Sequence, residues 1–67
     1  MKKNVVYMYN KYLYKLDDSN TVMFSPDGGR RWMISAQNIH SFTMLINIRG
    51  AVRLPSPLVL SLRELFK

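Results

Sequence analysis

Two turn signals stand four residues apart, and together they confine the first half of this chain to short antiparallel strands. Asp17-Asp18-Ser19-Asn20 is the first. Asp, Ser and Asn side chains hydrogen-bond their own neighbouring backbone and so favour a turn. Ser25-Pro26-Asp27-Gly28-Gly29 is the second. There proline pre-sets φ and glycine is open to positive φ. Between the two, residues 21–24 (TVMF) read as a strand, and residues 30–34 (RRWMI) as the strand that pairs back on it.

Residues 5–16 (VVYMYNKYLYKL) are rich in β-branched and aromatic side chains, which suit a pleated, half-buried surface. Strict alternation divides them untidily. One extra residue at Asn10-Lys11, a β-bulge, places Tyr7, Tyr9, Tyr12, Tyr14 and Leu16 on one face, opposite Met8, Leu13 and Lys15. A tight hairpin at the same dipeptide competes with the bulge, against the preference of such turns for Asn-Gly. The expected N-terminal unit is therefore a three-stranded antiparallel meander over about 4–16, 21–25 and 30–34.

Ser35 is placed to cap a helix, and Ile39, Phe42, Leu45 and Ile46 recur at helical spacing, predicting a helix over about 36–46. Residues 43–48 are β-rich in composition. The alternative is thus a short helical turn and a further strand at Ala51-Val52-Arg53-Leu54, and five short strands would suggest a small barrel. Leu54-Pro55-Ser56-Pro57 breaks the chain. Ser56 as N-cap and Pro57 at the first helical position fit the start of a closing helix. Leu58, Leu62, Leu65 and Phe66 form its apolar stripe, with Arg63 and Lys67 near the end where the helix dipole favours cations. The expected fold class is α+β in one domain, residues 1–67. One or two helices cover one sheet face through Ile39, Phe42, Leu45, Leu58, Leu62, Leu65 and Phe66.

A chain of 67 residues buries only about 60% of the surface its unfolded form exposes, so its stability is marginal unless something helps. It has no Cys for disulfides, and its one His cannot build a zinc site, which takes about four ligands. No metal and no cofactor are expected. An efficiently packed core or self-association, as a homodimer, remains. Apolar residues form 48% of the chain, which is enough for a core. The lack of Cys fits a reducing compartment. Lys2 and Lys3 precede a stretch broken by Asn10 and Lys11 with no small-residue cleavage site, which does not read as a signal peptide. No apolar run is long enough to span a bilayer, and the cytoplasm is the expected location.

The net charge is +6, unevenly placed. Lys2, Lys3, Lys11 and Lys15 precede the first acid; Asp17, Asp18 and Asp27 sit in the turns; Arg30, Arg31, Arg49, Arg53, Arg63 and Lys67 then face Glu64 alone. A field of this sign attracts polyanions. Catalytic constellations are lacking: His40 has no evident orienting carboxylate, and adjacent Asp17 and Asp18 do not make a facing acid–base pair. Gly28-Gly29 could cup a phosphate but lacks the Walker ending and the third Rossmann glycine, so it reads as a turn.

Nucleic-acid binding, to DNA or RNA, is the first functional expectation, in an accessory or transcription-associated role. Lys2, Lys3, Lys11, Lys15, Arg30 and Arg31 would meet phosphates, Trp32 and one or more Tyr would stack on bases, and Arg49 and Arg53 add to the basic surface. The rival expectation is a small modulator or inhibitor docking on an acidic surface of a larger protein, because Tyr, Met, Trp and Arg are also interface residues. A membrane surface fits poorly, since the closing helix carries two cations beside its stripe.

Overall fold

The β-rich opening segment turns back on itself at Asn10-Lys11. In the computed structural model, which describes residues 2–65, β1 (Val6–Tyr9) and β2 (Tyr12–Leu16) pair antiparallel. Tyr7 stands opposite Tyr14, Met8 opposite Leu13 and Tyr9 opposite Tyr12. Asn10 and Lys11 both take left-handed φ values, 53° and 73°. Two such residues in sequence make the reversal whose twist matches that of the strands. The expected bulge is therefore a hairpin. It leaves the same side chains together, because opposed residues share a face: Tyr7, Tyr9, Tyr12, Tyr14 and Leu16 on one, Met8, Leu13 and Lys15 on the other.

β3 (Val22–Ser25) pairs with β2, and β4 (Met33–Ile34) pairs with β3. β5 (Val52–Leu54) joins the far side of β1. The result is an open five-stranded antiparallel sheet in the order β4-β3-β2-β1-β5, not a barrel. The strand expected over 30–34 shortens to two residues for a visible reason. Asp27 Oδ1 accepts the Arg31 N–H at 2.9 Å and the Asp27 carbonyl accepts the Arg30 N–H at 3.4 Å, so the turn runs on through both arginines.

α1 (Ile39–Asn47) starts later than Ser35 would have it. Asn38 is the cap, its Oδ1 accepting the Ser41 N–H at 2.8 Å, while the Ser35 hydroxyl closes a local turn with the Gln37 N–H. At its end the Met44 carbonyl accepts the N–H groups of Ile48 and Arg49, Gly50 turns left-handed at φ 83°, and the chain enters β5. Both the helix and the further strand thus exist. α2 (Ser56–Leu65) follows the Pro55 break, the Leu58 and Val59 amides bonding back to the Pro55 carbonyl.

The two helices do not share a sheet face. α1 lies on the tyrosine face: Phe42, fully buried, meets Tyr7 edge-on at 5.8 Å between centroids and Tyr14 at 6.2 Å. Tyr14, Leu16, Val22 and Phe42 form the core, flanked by Tyr7, Tyr9, Phe24, Leu45 and Ile46. α2 lies toward the other face, beside buried Leu13 and Leu54. A Cβ at Gly29 would sit 3.6 Å from Arg63 Cγ and 3.7 Å from Leu13 Cδ1, which marks how closely the β3–β4 turn, β2 and α2 converge. Of the expected helix core, Phe42 is buried, Leu45 and Leu62 are half-buried, and Ile39, Leu58 and Leu65 are exposed. Phe66 lies outside the described residues.

Candidate functional site

The acids of the turns are consumed by the turns. Asp17 Oδ1 accepts the N–H groups of Ser19 and Thr21, both at 2.9 Å. Asp18 Oδ1 accepts from the Asn4 amide at 2.8 Å. Asp27 Oδ1 accepts from the Ser25 hydroxyl at 2.7 Å and from the Arg31 N–H. These bonds, the Arg31 amide foremost, hold the Asp27 carboxyl below its ordinary value. Ser25, buried under the turn, also accepts the Gly29 N–H at 2.8 Å. That bond uses an amide a phosphate cup would need, so Gly28-Gly29 is a hairpin connection.

The cations divide into two groups. On the α1 side, Lys2 and Arg53 line a hollow of about 280 Å³ together with Val5, Tyr7, Thr43, Ile46 and Asn47. Arg53 reaches it because it stands directly opposite Tyr7 in the β1–β5 register. Arg49 lines a second hollow of about 270 Å³ with Tyr9, Gln37, Ser41, Met44 and Leu45. Thr43, Ile46 and Asn47 lie along one side of α1, and Ser41, Met44 and Leu45 along the other, so the hollows flank the helix. Lys11 sits exposed at the hairpin tip, two residues beyond Tyr9. Among the described residues no carboxylate lines either hollow.

On the other side, Lys15 stands over the Trp32 indole, its Nζ 4.5 Å from the ring centroid. Trp32 is half-buried, and its ring also approaches Gly29. Arg30 Nη1 reaches the Arg63 carbonyl at 3.5 Å, and these two arginines line a further hollow with Leu60 and Glu64. Arg31 pairs with Asp27 at 3.6 Å while its side chain stays 82% exposed. Lys3 donates to the Asp18 carbonyl at 3.1 Å, bracing the N-terminus on the first turn.

The sheet thus separates the cations and rings expected to meet nucleic acid. Lys2, Arg53 and Arg49 line hollows beside α1, Arg53 also bordering a hollow beside α2 with Leu54, Val59 and Leu60; Lys11 is exposed at the hairpin tip, and Lys15, Trp32 and Arg30 belong to the α2 side. Tyr7 and Tyr9 are half-buried and Tyr14 is buried, all on the face that α1 covers, so they are core residues rather than an open stacking surface. Burial, with Tyr12 and Tyr9 nearby, pushes the Tyr14 hydroxyl pKa up. Tyr12, at 43% exposure, is the ring of the four most open to a partner.

Thr43 and Asn47 carry no motif that a linear reading would single out; their position four residues apart on a helix places them beside Arg53 only once β5 has paired with β1. Thr43 Oγ1 donates to the Ile39 carbonyl at 2.8 Å, which commits its proton to the helix. His40 is exposed in a hollow lined by residues 20–22 and 37–40, none of them a carboxylate. Among the described residues no three His, Cys, Asp or Glu side chains are grouped to hold a metal, and no helix is long and apolar enough to cross a membrane. No family model matches the chain, and neither a curated protein nor a solved structure is significantly similar to it.

Proposed function

We propose that this chain is a non-catalytic accessory protein that binds nucleic acid electrostatically through Lys2, Arg53 and Arg49 beside α1 and Lys11 at the hairpin tip. One observation carries the reading. The turn aspartates are engaged in backbone and side-chain bonds, while these four cations have no ion-pair partner among the described residues. A surface of this kind neutralises phosphates and releases counterions, with little demand on sequence. The covered tyrosines argue for backbone contact over base stacking.

The test is binding of labelled single- and double-stranded DNA and RNA across a salt series. Four neutralised phosphates on duplex DNA give a log–log salt slope of about −3.6. Absence of binding to every such probe at low salt sinks the proposal.

A second reading, a modulator docking on an acidic protein surface, draws on a different observation. Met8 and Val52 are opposed on the α2-side face, and Val52 and Leu60 are each 58% exposed. Exposed apolar residues on a basic chain suit a protein partner. Affinity capture that a Val52→Asp/Leu60→Asp variant performs as well as wild type would remove this reading.

A further inference from the structure

We propose that the hollow between β5, β1 and α1 is a receptor for one phosphate monoester, such as the 5′ end of a nucleic-acid strand. The assignment of a strand end rests on the nucleic-acid reading; the phosphate chemistry stands on the hollow itself. Lys2 and Arg53 bring two positive charges to one space, and the Asn47 amide adds a neutral donor type. A monoester above its second pKa of about 6 carries close to two negative charges, whereas a backbone diester carries one, so the monoester balances the pair better. Arg presents its donors as a planar fork suited to phosphate oxygens. The space, about 280 Å³, is at the lower limit of small-molecule sites, which fits a terminal group better than a whole nucleotide.

The C-terminal end of α1 would ordinarily oppose an anion here, through its unpaired carbonyls. Those carbonyls are partly taken: the Met44 oxygen by the Ile48 and Arg49 amides, and the Leu45 oxygen by the Ala51 amide. The same chain reversal that satisfies them delivers Arg53 to the hollow. Half-buried Val5 and Ile46 form the apolar part of its wall.

The experiment has two arms on the full-length chain. In the first, inorganic phosphate is titrated into ¹⁵N-labelled protein while amide shifts are followed. In the second, one short strand is compared with a 5′-phosphate and with a 5′-hydroxyl. Shifts centred on Asn47 and Arg53, and about fivefold tighter binding of the phosphorylated end at pH 7, are expected. Arg53→Gln and Lys2→Gln each remove the preference; Arg31→Gln, which deletes the same charge elsewhere, keeps it. The preference also declines at pH 5, where the monoester has gained a proton.

Shifts at Asn47 and Arg53 without an end preference support the phosphate site and assign it to a small soluble phosphate. The same shifts with no strand binding overturn the nucleic-acid reading while retaining the site. No shift at these residues together with equal binding of both ends overturns this inference and leaves the nucleic-acid reading standing.

Discussion

Arg53 stands directly opposite Tyr7 across β5 and β1. That one pairing brings a cation from the last strand onto the face carrying the tyrosines, because opposed residues in an antiparallel sheet share a face. A slip of one residue would turn Arg53 to the α2 side and Val52 or Leu54 toward α1. The candidate surface is therefore a product of the β5–β1 register, and the neighbouring β1–β2 register is set by the Asn10-Lys11 hairpin.

Lys11 is the strained partner in that hairpin. It takes φ 73° without the freedom of glycine, and the left-handed conformation costs an L-residue about 1–2 kcal/mol. Lys11→Gly relieves it while loosening the unfolded chain, so a net gain of about 0.5–1 kcal/mol is expected in chemical denaturation. A loss of stability on this substitution would contradict the two-residue turn.

Phe42 ties α1 to the sheet through its contacts with Tyr7 and Tyr14. Phe42→Ala should cost about 3–5 kcal/mol, since the ring is fully buried and small sheets collapse poorly around a void. In a domain whose whole stability is on the order of 5 kcal/mol, this leaves roughly 0–2 kcal/mol, so melts followed by circular dichroism should show a midpoint far below that of wild type, with up to about half the chain unfolded at room temperature. A cooperative transition close to that of wild type would mean α1 does not seal the core.

Much of this arrangement is legible before folding. The two turn clusters delimit β3, and an interruption of the alternation at Asn10-Lys11 groups Tyr7, Tyr9, Tyr12, Tyr14 and Leu16 as the paired strands do. Asn10-Lys11 misleads because its second residue lacks the glycine that announces a tight reversal, and a bulge gives the same parity. Ser35 and Asn38 are both good caps, and only the sheet's hold on Ser35, whose N–H bonds the Val22 carbonyl at 2.8 Å, decides between them. The pairing of β5 with β1 joins residues more than forty positions apart. Nothing local encodes that contact, and with it go the hollow and the roles of Thr43 and Asn47.

Asp27 makes the β3–β4 turn sensitive to acid. Its folded carboxyl is held below the ordinary value of 3.8, chiefly by the Arg31 amide. The stabilisation is therefore complete above about pH 4 and is lost as pH falls through the lowered folded value. Asp27→Asn should be less stable than wild type at pH 6, and the difference should narrow at pH 2 in paired thermal melts. A difference that stays constant between the two pH values would show that the carboxylate's charge plays no part in the turn.

The most direct test of the account compares two charge reversals in one binding assay. Arg49→Glu/Arg53→Glu alters the cations beside α1, and Arg30→Glu/Arg31→Glu makes the same change in net charge on the β3–β4 connection. The account predicts that the first variant loses nucleic-acid affinity and lowers the magnitude of the salt slope by about two. The second variant should keep the wild-type slope. Equal losses from both variants, or a loss confined to Arg30→Glu/Arg31→Glu, would contradict it.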